Sequence, residues 1–242
     1  MPNSSNVRIL DDLQAIARAA ADQFIAQCRQ VIKDHGRFTV ALSGGSTPKA
    51  LHAVLVERSA KDPNLIDWSR VQIFFGDERH VPPDHPDSNF GMAKETLLSK
   101  VPIPKQNVHR MHCENPDAAQ AATQYDAELA RAFQLNAGGF PHFDLVLLGM
   151  GPDGHTASLF PGTAVLAERQ KWVAAVIGAK DEARITFTYP LLESSRQIAF
   201  LVAGAEKRRM LGLLLGGDTA IPAGRLSKKR VRVFADKAAT GR

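Results

Sequence analysis

His155 is the residue whose type and setting most directly suggest chemistry. It closes the loop of the stretch 143–162, FDLVLLGMGPDGHTASLFPG. Residues 144–148 form a short apolar run that suits a strand covered on both faces. Gly149, Gly151 and Gly154 then permit a backbone path that residues with a Cβ resist. A histidine delivered from a loop at a strand end can serve as a general base, because imidazole titrates near neutral pH. A hydrogen-bonded structural histidine is the bland alternative. A short helix is expected to begin near Thr156. The glycines also fit G-x-G-x-x-G. A dinucleotide site, however, needs a helix packed after the third glycine and an acidic residue about 20 positions on. Here Pro161 follows soon after and the segment near Ala174 is apolar, so chemistry at the loop itself is expected.

A second candidate is Ser43-Gly44-Gly45-Ser46-Thr47-Pro48, directly after an apolar run at 39–42. A strand running into a Gly/Ser/Thr turn, with Pro at the first position of a new helix, marks a helix N-terminus. Exposed backbone N–H groups there bind phosphate, and the hydroxyls add donors. A well-capped tight turn fits equally. The lysine-bearing nucleotide loop is absent, so the reading is phosphate in general. A third group, Gly76-Asp77-Glu78-Arg79-His80, crowds charge at the exit of the apolar run 71–75. His80, Asp84, His85 and Asp87 match no standard ligand spacing, so a polar surface loop is expected there and no metal. A fourth, Gly204-Ala205-Glu206-Lys207, follows an apolar run at 197–202. Neither G-x-S-x-G nor H-E-x-x-H occurs. That leaves proton-transfer or water-activated chemistry on a small phosphorylated substrate, without metal, cofactor or covalent intermediate.

The elements that must position these groups alternate. An amphipathic helix is predicted over 10–35, stopping at Gly36, then a strand at 39–42 and a helix from Pro48. Further strands are predicted at 71–75, 144–148, 172–177, 184–188, 197–202 and 231–234. Helices are predicted from the Ser88 cap through 98, over 115–135, and from 204–207 onward, with a connector at 136–140. This β, α, β, α order predicts a three-layer α/β/α fold. Its Rossmann-like open sheet should be mostly parallel, with helices on both faces. The four polar motifs all follow strands, and ligands of open α/β sheets bind outside the carboxyl ends of strands. One shared cleft is therefore expected.

The 242 residues are 44% hydrophobic and 23% charged, which suits one soluble α/β domain with a real core. The two cysteines give neither a disulfide framework nor a metal spacing, and a cytoplasmic setting is the simplest. The first residues lack the apolar core of a signal peptide, and no run approaches membrane-spanning length. The net charge of +5 is scattered, apart from Lys228, Lys229, Arg230 and Arg232, which read as a solvated turn. No nucleic-acid or membrane partner is expected. A modest positive field favours a small anionic substrate.

Taken together, the segments resemble the 6-phosphogluconolactonase family of the glucosamine/galactosamine-6-phosphate isomerase-like superfamily. LSGGSTP at 42–48, GDERHV at 76–81, DSN at 87–89 and GMGPDGHTASLFP at 149–161 look like its motifs. RITFT at 184–188 and GAEK at 204–207 continue the match. Asp181-Glu182-Ala183 departs from a stretch that is often proline-rich and less acidic in the family. The resemblance implies hydrolysis of 6-phospho-D-glucono-1,5-lactone in the oxidative pentose phosphate pathway, by a monomer or small homo-oligomer. It implies that His155 takes a proton from water. Asp153 would position His155 or cap the loop. Arg79 would bind substrate or answer the oxyanion, unless it merely pairs with Asp77 or Glu78. Ser43, Gly44, Gly45, Ser46 and Thr47 would hold the phosphate with Lys207 and Arg184, and Asp77 would join the substrate-binding set. The alternatives are a glucosamine-6-phosphate deaminase, which tends to carry DEY and GHIAFNEP at the corresponding places, and a non-catalytic sugar-phosphate sensor.

Overall fold

The computed structural model describes residues 6–135, 139–227 and 229–241. Part of the expected connector at 136–140, and Lys228 of the basic group, lie outside the described residues. The elements in chain order are β1 (Val7–Leu10), α1 (Leu13–His35), β2 (Phe38–Leu42), α2 (Ser46–Lys61), β3 (Val71–Phe75), β4 (Asp77–Arg79), α3 (Asn89–Ala93) and α4 (Ala118–Phe133). They continue with β5 (Leu145–Leu148), β6 (Val173–Val176), β7 (Arg184–Phe187), α5 (Tyr189–Ser194), β8 (Ile198–Val202), α6 (Arg208–Gly216), β9 (Val231–Asp236) and α7 (Lys237–Thr240).

The main sheet has six strands in the order β1-β9-β8-β5-β2-β3, and every neighbouring pair is parallel. The three central strands β2, β5 and β8 are buried along their whole length. That is why they read as continuous apolar runs and not as alternating ones. Alternation survives as a division between two cores. Leu145 and Leu147 pack with Ile16, Phe24, Leu51 and Trp68 under α1 and α2. Val146 and Leu148 face the other way, onto Tyr125, Leu129 and Leu211 of α4 and α6. Period two along a strand thus feeds both faces of the sheet, and the expected three-layer α/β/α architecture results. The register of β2 against β5 is pinned by the buried Asp144, whose carboxylate accepts from the Thr39 amide at 2.9 Å and the Thr39 hydroxyl at 2.8 Å.

Several features differ from the sequence reading. Residues 7–10 form an edge strand on β9 and α1 begins only at Leu13, because Asp12 caps it by accepting from the Ala15 amide at 2.7 Å. α4 likewise starts at Ala118 behind the Asp117 cap, since the Asn115 side chain bonds the Asp117 amide and turns the chain away from helix. The largest difference concerns β6 and β7. They do not extend the main sheet, but pair with β4 in a separate antiparallel sheet, β4-β7-β6. The charges that crowd the exit of β3 at 77–79 form a strand of their own there. Among the described residues no helix is long and apolar enough to cross a membrane.

One buried histidine bears on stability. His52 of α2 is 0% exposed, and its Nδ1 lies 2.7 Å from the Thr96 hydroxyl, which itself donates to the Met92 carbonyl. Nδ1 must therefore be the donor. Nε2 is buried with no protein partner, and a proton there would be unsatisfied. Burial pulls the pKa down to about 4. From pH 6.5 down to about 4 the unfolded chain binds a proton that the native state refuses. Stability from His52 is therefore present above that window and lost as pH falls through it, by on the order of 3 kcal/mol. Urea unfolding at pH 7, 5.5 and 4.5 is expected to show the decline in the wild type and a shallower one in His52→Leu. Parallel pH dependences in the two proteins would contradict this account.

Candidate active site

The carboxyl ends of β2, β5 and β8, with one end of the small sheet, enclose a cavity of about 410 Å³. It is lined by the 43–48 turn, Asp77, Arg79, residues 149–152, His155, Arg184 and Lys207. The four motifs that follow strands in the sequence do meet in one cleft. Asp153 does not line it, and stands behind His155.

The 149–155 loop is held closed by hydrogen bonds from the Gly151 amide to the His155 carbonyl at 2.9 Å and from the Gly154 amide to the Gly151 carbonyl at 3.1 Å. A Cβ on Gly151 would overlap the His155 ring, so this close approach requires glycine. Gly154 has φ +81° and packs against Ile221, so a side chain there would be strained and crowded. Gly149 is uncrowded and owes nothing to its lack of a side chain. No helix follows His155; Thr156 and Leu159 form a tight bridge instead, with the Thr156 hydroxyl tied to the Gly149 carbonyl at 2.9 Å.

Within this loop Asp153 accepts twice from His155, from the ring Nδ1 at 2.5 Å and from the backbone amide at 3.1 Å. Burial pushes the Asp153 carboxyl up. The hydrogen bonds from His155 overcome that and hold it below the usual carboxylate range. An ionised Asp153 fixes the proton on Nδ1, which leaves Nε2 as the basic lone pair. The ring is further set by Phe160, 4.6 Å away between centroids.

At the opposite wall α2 begins at Ser46, two residues earlier than the proline suggests. Pro48 is still tolerated, because the first amides of a helix lack internal partners. Gly45 takes φ +108° to start the helix, and a Cβ on Gly44 would overlap the Asn89 amide. Amides of the first turn and the positive end of a 16-residue helix border the cavity here, and the Ser43 hydroxyl is buried without a protein partner. Such a cradle suits an anion.

The two carboxylates of β4 differ in function. Glu78 accepts from the amides of Arg79, Asn89 and Phe90 and from the Ser88 hydroxyl, so it anchors the start of α3. Asp77 faces the cavity. Burial raises its pKa, against the Ser158 hydroxyl at 2.7 Å and the nearby charges of Arg79, His155 and Arg184. Arg79 forms no ion pair with either carboxylate; its guanidinium donates to the Asp87 carbonyl at 2.6 Å. It lies across from Arg184 in the β4–β7 register, and Arg184 donates to the Glu182 carbonyl at 2.7 Å and carboxylate at 3.2 Å. Lys207 lies 3.8 Å from Glu206 in a single turn, and α6 begins only at Arg208. His80 points elsewhere, onto the Asn115 carbonyl. Among the described residues no group of three or more His, Cys, Asp or Glu side chains is placed to hold a metal.

The cavity also contains residues that the sequence reading did not single out: Asn89, Ser158, Phe160, Lys180 and Glu206. Asn89, Ser158, Phe160 and Glu206 lie inside motifs already noted, beside residues with a stronger chemical signature. Lys180 lies in an irregular loop with no local signal.

The fold and cavity define a class: a doubly wound α/β protein with an anion cradle and an Asp–His pair facing each other across the strand ends. Residues 11–235 match the family described as glucosamine-6-phosphate isomerases/6-phosphogluconolactonase, and the chain belongs to it. It is 42% identical over 206 residues to a 6-phosphogluconolactonase of Nostoc sp., covering 85% of this chain and 82% of that one. It is 43% identical over 207 residues to one from Synechocystis sp., covering 85% and 83%. Among solved structures, 6-phosphogluconolactonase from Trypanosoma brucei superposes with a TM-score of 0.85 at 30% identity, covering 98% of this chain and 97% of that one. A monomeric glucosamine-6-phosphate deaminase superposes at 0.80 with 18% identity, covering 98% and 99%, and shares the fold alone.

The crowding at Gly44 gives a test of the cradle. Gly44→Ala is expected to weaken 6-phosphogluconate binding by about tenfold or more in calorimetry, the scale of a one-methyl overpacking. An unchanged affinity would remove the 43–47 turn from the anion site.

Proposed function

We propose that this chain hydrolyses 6-phospho-D-glucono-1,5-lactone to 6-phospho-D-gluconate, the reaction named for its relatives in Nostoc and Synechocystis. The observation that carries the reading is His155, backed by Asp153, lining the same small cavity as the helix-end turn at 43–48. The phosphate sits on the amides and hydroxyls of Ser43, Gly44, Gly45, Ser46 and Thr47, answered by Lys207 and Arg184. The lactone carbonyl is thereby held towards His155.

His155 Nε2 takes a proton from water as the water oxygen bonds to C1. The carbonyl oxygen becomes an oxyanion, and Arg79 supplies charge where it develops. The tetrahedral centre then breaks its bond to the ring oxygen, which takes the proton back from Nε2. Asp153 holds the tautomer and answers the transient imidazolium. Asp77, fixed by Ser158, supports the Arg79 side of the pocket. A general base contributes typically 10²–10⁴-fold, ample for a lactone that already opens in water.

His155→Ala is expected to lower kcat by about that factor of 10²–10⁴ while 6-phosphogluconate affinity changes little. The assay follows fresh lactone corrected for spontaneous opening, and wild-type rates in the variant would remove His155 as the base. Ammonia release from glucosamine 6-phosphate by the wild type would favour the deaminase reading instead. Lys207→Ala is expected to raise KM about tenfold for the phosphorylated lactone and little for plain gluconolactone, by loss of one charge-assisted contact. Equal effects on both would place Lys207 away from the phosphate.

A further inference from the structure

Two of the cations that line the cavity already have carboxylate partners. Arg184 is answered by Glu182, and Lys207 has Glu206 at 3.8 Å. Arg79 is tethered to the Asp87 carbonyl. Lys180 differs. Its ammonium makes no hydrogen bond or ion pair among the described residues, and it rests over the face of Phe160, 5.2 Å from the ring centroid. Phe160 is the same ring that packs against His155, at 4.6 Å. Lys180 Nζ is therefore no further from the imidazole than the sum of these two spacings, and all three side chains line one cavity. A ring face attracts a cation weakly and leaves its N–H donors unspent. The arrangement holds a compact positive charge in the same cavity as His155 while keeping it available to an anion.

Resting on the reading above, we propose that Lys180 is a catalytic residue at the reacting end of the pocket. Its ammonium donates to the oxygen of C1, first as the oxyanion of the tetrahedral centre and then as the product carboxylate. The bond made at C1 is to the water oxygen and the bond broken is to the ring oxygen. The proton travels through His155, so Lys180 contributes charge and gives up no proton. Arg79 and Lys180 would then approach the developing charge from two sides, one rigid on a strand and one on a flexible stem. The 180–183 loop, where the chain departs from the proline-rich pattern, divides the work. Glu182 engages Arg184, while Lys180 stays free.

Lys180 is exposed, so its replacement should leave the fold intact, as a thermal melt can verify. Lys180→Gln is expected to lower kcat by about 10–100-fold on both the phosphorylated and the plain lactone, towards or below the low end for loss of one oxyanion donor. KM should move less than about threefold, and Lys180→Arg should recover part of the loss. Rates within about twofold of wild type, or a loss confined to the phosphorylated lactone, would overturn the assignment. A binding measurement reads the same contact without turnover. Lys180→Gln should bind 6-phosphogluconate several-fold more weakly than the wild type and bind glucitol 6-phosphate, which lacks the carboxylate, equally well. Equal affinities of variant and wild type for 6-phosphogluconate, or an equal loss for both ligands, would overturn it. If the wild type turned over no lactone, the proposed reaction would fail while this binding comparison still reported on Lys180.

Discussion

The site depends on a hydrogen bond from an imidazole to a carboxylate two residues away. His155 Nδ1 and Asp153 Oδ1 are 2.5 Å apart, and the His155 amide donates to the same oxygen. So short a sequence separation leaves little room for error. The backbone must fold back on itself, which it does through the left-handed Gly154 and the bare Cα of Gly151. The apolar strand β5 then has to end where it does, buried by both cores, so that the loop emerges at the sheet edge facing α2. Fold, loop and tautomer are in that sense one constraint. The buried sheet fixes the loop, the loop fixes the carboxylate, and the carboxylate fixes which ring nitrogen stays basic.

Around that bond the charges are arranged with economy. Two adjacent acids on β4 are both pushed up by burial, yet their surroundings assign them different work. Glu78 is consumed by backbone amides and secures α3. Through that helix it places Asn89, which packs against Gly44 and so against the 43–48 turn. Asp77 faces inward among Arg79, Arg184 and His155. A cavity with this many cations suits a ligand that is negative at one end and becomes negative at the other. The helix N-terminus adds a partial charge that a cleft of low dielectric makes effective.

Much of this was legible in the sequence, for reasons that can be named. Continuous apolar runs followed by glycine and polar turns identify β2, β5 and β8 and the edge they share, because a strand buried on both faces admits few polar residues. That the 43–48 turn and the Asp-Gly-His loop would meet at that edge could be read for the same reason. What could not be read is what depends on tertiary pairing. β1 is four residues long and half-buried, and only β9 makes it a strand. Residues 77–79 carry three adjacent charges and no local strand signal; pairing with β7 in the separate sheet makes them a strand and buries two of them. Lys180 joins the cavity through a loop that carries no periodic signal, so only the fold brings it to Phe160.

A structure of the protein with 6-phosphogluconate bound would test the central claim most directly. The account predicts the phosphate on the Ser46 and Thr47 amides and the C1 carboxylate about 3 Å from His155 Nε2, within hydrogen-bond reach. A sugar phosphate bound in the reverse sense, or one whose C1 lies out of reach of that nitrogen while the phosphate is seated, would contradict it.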